Sequence, residues 1–146
     1  MKTRHLALGL LALVLALPGC AMLELVEDRD FLGWKQDFRE AQRDYTQSVR
    51  WGEFEVAARY VDPELRQAFL IEAATLAGVR FTDYHVTVVK LESEIATAHV
   101  SYRLYDVTAL IERTVTETQE WTRDEGQWYV KPGLENLRER VAGGAF

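Results

Sequence analysis

The chain has 146 residues, of which 48% are hydrophobic and 27% are charged, and its formal net charge at pH 7 is −6. A chain of this size can bury one hydrophobic core, so the composition predicts one globular domain. The acidic balance argues against nucleic acid as a partner, because binding to a phosphate backbone needs clustered positive charge. With a single cysteine, the chain cannot form an intramolecular disulfide.

Residues 1–19 differ from the rest of the chain and are predicted to form a secretory signal peptide. Lys2, Arg4 and His5 give a basic start, and an uninterrupted apolar run follows over residues 6–15. That run is shorter than the roughly 20 residues that a helix needs to cross a bilayer. A basic start followed by a short apolar run is typical of a cleaved export signal.

The end of this segment resembles the lipobox of bacterial lipoproteins. Leu17 stands three residues before Cys20, and the small residue Gly19 stands just before it. The resemblance implies that Cys20 carries acyl chains such as palmitate, with residues 20–30 forming the acylated cysteine and its tether. In a Gram-negative host, Ala21 after the cysteine implies the periplasmic face of the outer membrane. The alternative is an ordinary secreted protein that is cut elsewhere and keeps its cysteine buried or free.

The membrane is therefore expected as a partner through the acyl chains on Cys20. Cleavage would remove Lys2 and Arg4 but no acid, so the mature chain is more acidic than the full chain. Anionic lipid surfaces would repel such a domain, so its attachment would depend on the acyl chains.

Residues 31–142 are predicted to form one domain that begins with three helices. Apolar residues recur at three- and four-residue spacing in the first helix, which predicts one buried stripe. The stripe consists of Phe31, Trp34, Phe38, Ala41, Tyr45 and Val49. A short second helix is expected over 54–61 and a third over 65–76.

Several polar and glycine residues mark where these helices begin and end. Gly52 can end the first helix, and Gly78 can stop the third. Asp62 followed by Pro63 predicts the restart between the second and third helices. After the sheet, a short terminal helix is expected from Leu134, before a tail at residues 143–146.

Residues 81–131 alternate apolar and polar side chains, which predicts an antiparallel β-meander. Four strands are expected, over 81–91, 95–105, 111–123 and 127–131. A three-residue loop at 92–94 would join the apolar faces of the first two strands, with Leu91 opposite Ile95. Gly126 is expected to be the left-handed residue of a three-residue loop in the last hairpin. Helices followed by a meander give an α+β fold, with Phe69 and Trp128 expected at the helix–sheet interface.

Two stretches resemble the nuclear-transport-factor-2-like superfamily, which includes ketosteroid isomerase and polyketide cyclases. Residues 45–64 are similar to the end of its first helix, where a glycine–acid pair, here Gly52 and Glu53, precedes a short helix. Residues 124–130 are similar to its last hairpin. The resemblance covers residues 38–131 and is best to small lipoproteins of this type in Gram-negative bacteria. It implies a cone-shaped domain, in which N-terminal helices pack on a curved sheet that often surrounds an apolar pocket.

The catalytic assignment of that superfamily does not carry over to this chain. Ketosteroid isomerases use a tyrosine and two acids in the pocket. Tyr102 falls on the core face here, but the acids cannot be matched residue by residue. The sequence also lacks a nucleophile elbow, a phosphate loop and a zinc-protease motif, so no catalytic residue and no cofactor are predicted.

Two histidines lie on the polar face of the predicted sheet. The register places His85 beside Ser101 and His99 beside Thr87, so the two rings are diagonal neighbours. A metal site would need a third ligand, and Asp83 is the one carboxylate that the register brings near. Two solvated histidines are therefore expected, and no metal site is predicted.

The third strand mixes apolar, polar and charged residues on one face. That face could line a pocket in which Glu117 is desolvated and acts as a general base. It could equally face water, with Arg113 and Glu117 forming an ordinary surface ion pair, and this second interpretation is favoured. The residues that would line a pocket are Tyr102, Arg113, Glu117, Gln119, Trp121 and Trp128.

These observations predict a lipid-anchored envelope lipoprotein whose domain is a non-catalytic binding or scaffolding module. The alternative is a pocket enzyme of the isomerase or dehydratase type that acts on a small apolar molecule. A third possibility is an accessory subunit of an envelope assembly machine. The expected partners beside the membrane are accordingly a small apolar ligand or an envelope protein.

Overall fold

The computed structural model describes residues 21–134 and Leu137, with side chains described from Gly33 onwards. The predicted signal peptide, the lipidation site at Cys20 and the tail at 143–146 lie outside the described residues. Two compact units are distinguished, residues 1–33 and residues 34–146. The second unit contains the sheet.

Within the described residues, three helices precede the sheet. They are α1 (Ala21–Trp51), α2 (Phe54–Ala57) and α3 (Arg66–Thr75). Helix α1 includes residues 21–30, the stretch predicted as a tether, and α2 ends earlier than expected. Gly52 follows α1 with a φ of 74°, a left-handed conformation that suits the residue after a helix. Within the described part of the chain, no helix is both long and apolar enough to cross a bilayer.

The sheet consists of four antiparallel strands in the order β1-β2-β3-β4. The strands are β1 (Val79–Leu91), β2 (Ile95–Asp106), β3 (Glu112–Asp124) and β4 (Gln127–Lys131). Beyond β4, Val61 forms a parallel bridge to Val130. Helices followed by an antiparallel meander confirm the predicted α+β class.

The predicted register of β1 and β2 is confirmed at the centre and wrong at both ends. His85 lies opposite Ser101 and Thr87 lies opposite His99, but Leu91 lies opposite Ala96 rather than Ile95. The register shifts once between Phe81 and Asp83 and again between Val88 and Lys90. Each shift adds one residue to β1, so its inward positions change parity, from 79 and 81 to 84 and 86, and then to 91.

The last hairpin is tighter than predicted. Asp124 pairs with Gln127, so the loop has two residues rather than three. Glu125 and Gly126 both have positive φ, 46° and 83°. Positive φ at both central residues is typical of a type I′ turn, whose twist matches that of the flanking strands.

The core lies between α1, α3 and the inner face of the sheet. Phe38 on α1 packs edge to face against Trp121 at 5.8 Å and against Trp128 at 5.1 Å between ring centroids. Phe69 on α3 packs against Tyr45 of α1 at 6.2 Å. Phe69 and Trp128 are both buried, and the contact of Trp128 with Phe38 confirms its predicted place at the helix–sheet interface, whereas the ring of Phe69 contacts Tyr45 and Phe54 of the helices. The inward positions of β2 are all buried: Ala96, Ala98, Val100, Tyr102 and Leu104.

Candidate functional site

The inner face of β3 holds a fully buried glutamate. Only 1% of Glu117 is exposed, and its neighbours on the same face, Val115, Gln119 and Trp121, are buried as well. The expectation of a solvated Glu117 is therefore wrong. Strand β3 alternates strictly between the two faces, and the even positions carry the threonines and exposed acids, so the odd positions lie beneath α1.

Four donors surround the Glu117 carboxylate. Its Oε1 accepts hydrogen bonds from the Tyr45 hydroxyl at 3.0 Å and from the backbone N–H of Gly133 at 3.3 Å. Its Oε2 accepts from the Tyr102 hydroxyl at 3.1 Å and from Nε2 of Gln119 at 2.8 Å. The carboxylate thus joins α1, β2, β3 and the segment after β4 at one buried point.

A second set of hydrogen bonds continues from Gln119 to α1. Nε2 of Gln42 donates to Oε1 of Gln119 at 3.2 Å and to the Thr46 hydroxyl at 2.9 Å. Nε2 of Gln119 also lies 3.2 Å from the Thr46 hydroxyl. The indole N–H of Trp121 donates to Oε1 of Gln119 at 3.2 Å. These seven residues, which we call the buried polar centre, are Gln42, Tyr45, Thr46, Tyr102, Glu117, Gln119 and Trp121.

Burial shifts the ionisation of this centre. Desolvation raises the pKa of Glu117, while the hydrogen bonds from Gln119, Tyr45 and Tyr102 oppose that shift because they favour the carboxylate. Desolvation also raises the pKa of Tyr45 and of Tyr102 well above the usual range, and the nearby Glu117 charge adds to both shifts. Both phenols therefore stay protonated and act as donors to the carboxylate.

The structure brings together four of the six residues that the sequence predicted as a pocket lining. Tyr102, Glu117, Gln119 and Trp121 belong to the buried polar centre. Trp128 is buried farther along the core, where its indole N–H donates to the Trp34 carbonyl oxygen at 3.3 Å. Arg113 is half-buried on the same face of β3 and lies opposite Leu104 of β2.

Sequence reasoning missed the contribution of α1 and of the segment after β4. Gln42, Tyr45, Thr46 and Val49 recur at three- and four-residue spacing, so the polar members Gln42 and Thr46 share the buried stripe with the aromatic residues. That spacing was a signal available in the sequence. The N–H of Gly133 had no such signal, because its position depends on the path of the chain after β4.

The histidines lie away from this centre. His85 and His99 are exposed on the outer face of the sheet, in the diagonal arrangement that the register predicted. Among the residues that the structure describes, no group of three or more His, Cys, Asp or Glu side chains could hold a metal ion.

A small apolar pocket opens near the end of β4. It has a volume of about 190 Å³ and is lined by Leu65, Ala68, Phe69, Glu72, Lys131, Pro132 and Leu134. Ligand pockets for drug-sized molecules usually have at least about 300 Å³. The pocket is therefore smaller than a typical site for a drug-sized ligand.

Comparisons with known proteins give similarity in fold alone. No protein-family model and no curated protein matches the chain. The solution structure of a SEC-C motif containing protein from Rhodopseudomonas palustris has a TM-score of 0.53 at 17% identity, covering 62% of this chain and 71% of that chain. The crystal structure of a protein described as a SnoaL-like polyketide cyclase, from Mesorhizobium loti, has a TM-score of 0.43 at 12% identity, covering 62% of this chain and 92% of that chain. The first similarity indicates a shared fold and carries no function.

Proposed function

We propose that this chain is a lipid-anchored envelope lipoprotein with a non-catalytic binding or scaffolding domain of the nuclear-transport-factor-2-like type. The anchor would be acyl chains on Cys20, and the location would be the periplasmic face of the outer membrane. The lipobox-like run that ends at Cys20 supports the anchor, and the acidic charge of the chain supports attachment through lipid rather than through the domain.

The saturated carboxylate of Glu117 supports the non-catalytic role. A general base needs a lone pair within hydrogen-bonding reach of the proton that it removes from a substrate. Each oxygen of Glu117 already accepts two hydrogen bonds from protein donors, and the side chain is 1% exposed. A buried carboxylate with all acceptor sites occupied fixes the packing of its neighbours.

The anchor is tested by fractionation in a Gram-negative host. The wild-type chain is expected in the outer-membrane fraction of a density gradient, and Cys20→Ala is expected in the soluble fraction. Ala21→Ser, which keeps the cysteine, serves as the matched control and should fractionate like the wild type. A Cys20→Ala chain that stays with the membrane would overturn the proposal.

The same centre favours one alternative function, a pocket enzyme of the isomerase or dehydratase type. Glu117 has a raised pKa and two tyrosine donors at 3.0 and 3.1 Å, a combination that can stabilise a developing oxyanion next to a base. Its test is deuterium exchange into a simple conjugated ketone, cyclohexenone, in D2O. The non-catalytic proposal predicts equal exchange rates for the wild type and Glu117→Gln, whereas faster exchange with the wild type alone would favour the enzyme.

A further inference from the structure

A long groove runs along one flank of α1, beside the core. It consists of two adjoining depressions of about 400 and 260 Å³ that share Asp44 and Tyr60. Helix α1 forms one wall, and residues 53–60 and the β3–β4 hairpin form the other. We call this feature the α1 groove.

The walls of the α1 groove are acidic and aromatic. Its acidic residues are Asp37, Glu40, Asp44 and Glu53, and its one cationic wall residue is Arg59. Its aromatic residues are Trp51, Tyr60, Trp128 and Tyr129. The Tyr60 hydroxyl donates to Oδ2 of Asp44 at 3.4 Å, which joins the two walls where the depressions meet. Carboxylates beside aromatic faces attract cations through charge and through the ring quadrupole.

The carboxylates in this groove are open to a cationic partner. Asp37 has Arg123 at 3.8 Å, and Asp44 has Arg43 at 3.0 Å, but the side chains of the two acids are 54% and 42% exposed. Exposed ion pairs contribute little, so an incoming lysine or arginine can compete with them. Across the described part of the chain, Glu40 and Glu53 form no ion pair.

One end of the groove is apolar. The Trp51 side chain is 64% exposed and that of Val56 is 37% exposed. The guanidinium of Arg50 lies 4.2 Å from the centre of the Trp51 ring and covers part of one face. Exposed tryptophans are common anchor points at protein interfaces, because they bury a large area when a partner covers them.

The length of the groove indicates an extended occupant. The helix rises 1.5 Å per residue, so Asp37 and Trp51 are about 21 Å apart along α1. An extended peptide spans that distance with about six residues. We propose that the α1 groove binds an extended lysine- or arginine-containing segment of an envelope protein, with an apolar side chain of that segment against Trp51 and Val56. A second copy of this chain fits less well, because its net charge of −6 would oppose association.

This inference deepens the proposed binding role and rests on it. The probe is a synthetic peptide of alternating lysine and alanine with leucine at each end, titrated at low salt into the purified full-length chain. Binding is followed by tryptophan fluorescence and by NMR. The test variant is Glu40→Gln with Glu53→Gln, and the matched control is Glu92→Gln with Glu94→Gln, which makes the same charge change at the exposed β1–β2 loop.

The groove variant is expected to weaken peptide binding about fivefold, and the loop variant less than about twofold. Trp51→Ala is expected to weaken binding of the same peptide by about fivefold or more, because a terminal leucine would lose its contact with the indole ring. Equal binding by the two double variants would mean that the peptide is attracted to the net charge of the chain, and this would overturn the proposed site in the α1 groove. A peptide that does not bind the wild type would also overturn it, while the Cys20→Ala fractionation would still test the anchor separately.

Discussion

Strand β3 carries two glutamates that are three residues apart and lie in opposite environments. Glu117 is 1% exposed and accepts four hydrogen bonds from protein donors. Glu120 lies on the outer face, where its side chain is 63% exposed and faces Lys131 at 3.7 Å. The residue type is the same, so the difference follows from the face of the strand on which each glutamate lies. A charged residue in a strand can thus be a surface group or the centre of the core.

The comparison also shows what burial requires of the rest of the chain. A carboxylate taken out of water is destabilising unless hydrogen bonds replace its hydration. Three of the four donors around Glu117 come from outside β3, namely Tyr45, Tyr102 and Gly133. Burial of Glu117 is therefore favourable when α1 and the segment after β4 hold their native positions. A fold in which those donors are displaced would be destabilised.

Removing the Trp121 side chain from the inner face of β3 should give the largest difference in stability between the two faces. Trp121→Ala is expected to lower the free energy of unfolding by about 3–5 kcal/mol, because it leaves a cavity against Phe38 and Tyr45. Thr122→Ala, at the next and exposed position, should change it by less than about 0.5 kcal/mol. Denaturant unfolding measures both, and a loss below about 1 kcal/mol for Trp121→Ala would contradict the inward face.

Truncating Glu117 and Glu120 should give the next largest difference in stability between the two faces. Glu117→Ala is expected to lower the free energy of unfolding by about 3 kcal/mol, because it leaves buried donors of Tyr45, Tyr102 and Gln119 without their acceptor. Glu120→Ala should cost less than about 0.5 kcal/mol. Similar midpoints of denaturant unfolding for the two variants would show that the burial of Glu117 contributes no constraint.

The pH dependence of stability should separate the two glutamates further. The pKa of Glu117 is raised in the folded chain, mainly by desolvation, from its ordinary value of 4.5. The folded state therefore holds the proton more tightly than the unfolded state, so this contribution to stability is fully present below pH 4.5 and is lost as pH rises through the folded pKa.

Measured from pH 5 to pH 8, the free energy of unfolding should accordingly fall with rising pH in the wild type. Glu117→Gln should remove most of this slope, and Glu120→Gln should keep it. Parallel curves for the wild type and Glu117→Gln would contradict a raised pKa at Glu117.

The smallest expected effect belongs to the outer face. Arg103 donates a hydrogen bond to Asp83 at 2.6 Å, and that bond is the main cause of the lowered pKa of Asp83. Arg103→Gln should raise this pKa back toward its ordinary range, as measured by NMR titration of the Asp83 carboxyl carbon. Because both groups are solvated, the melting temperature should hardly move. A large loss of stability would mean that this face is not an ordinary solvated surface.

The sequence predicted the elements better than the buried polar centre. Strand alternation is a strong signal, and it identified all four strands and the buried face of β2. The parity of β3 was also visible, but its inner face carries Arg113, Glu117 and Gln119 among apolar residues, so polarity argued for water. The burial of Glu117 depends on hydrogen-bond donors on α1 and after β4, and these partners are distant from it in sequence.

The errors in register have a similar physical origin. The prediction assumed one register along the whole of β1, whereas the added residues Thr82 and Val89 shift the pairing at both ends, including beside the loop, where Leu91 lies opposite Ala96. The inward parity changes twice in the sequence of β1, which is the local signal of two bulges. In the last hairpin, Gly126 was identified as left-handed, but Glu125 also has positive φ, which is uncommon for a non-glycine residue.

The same two bulges determine how the sheet meets other chains in solution. In the described part of the chain, β1 pairs along one edge only, with β2, so its other edge could template an incoming strand. The bulges leave a straight segment only from Asp83 to Val88, and the Arg50 guanidinium occupies the Thr82 carbonyl oxygen at 2.7 Å. We therefore expect the backbone geometry, as well as charge, to oppose strand-mediated aggregation, and this effect should persist at ionic strengths that screen electrostatic repulsion.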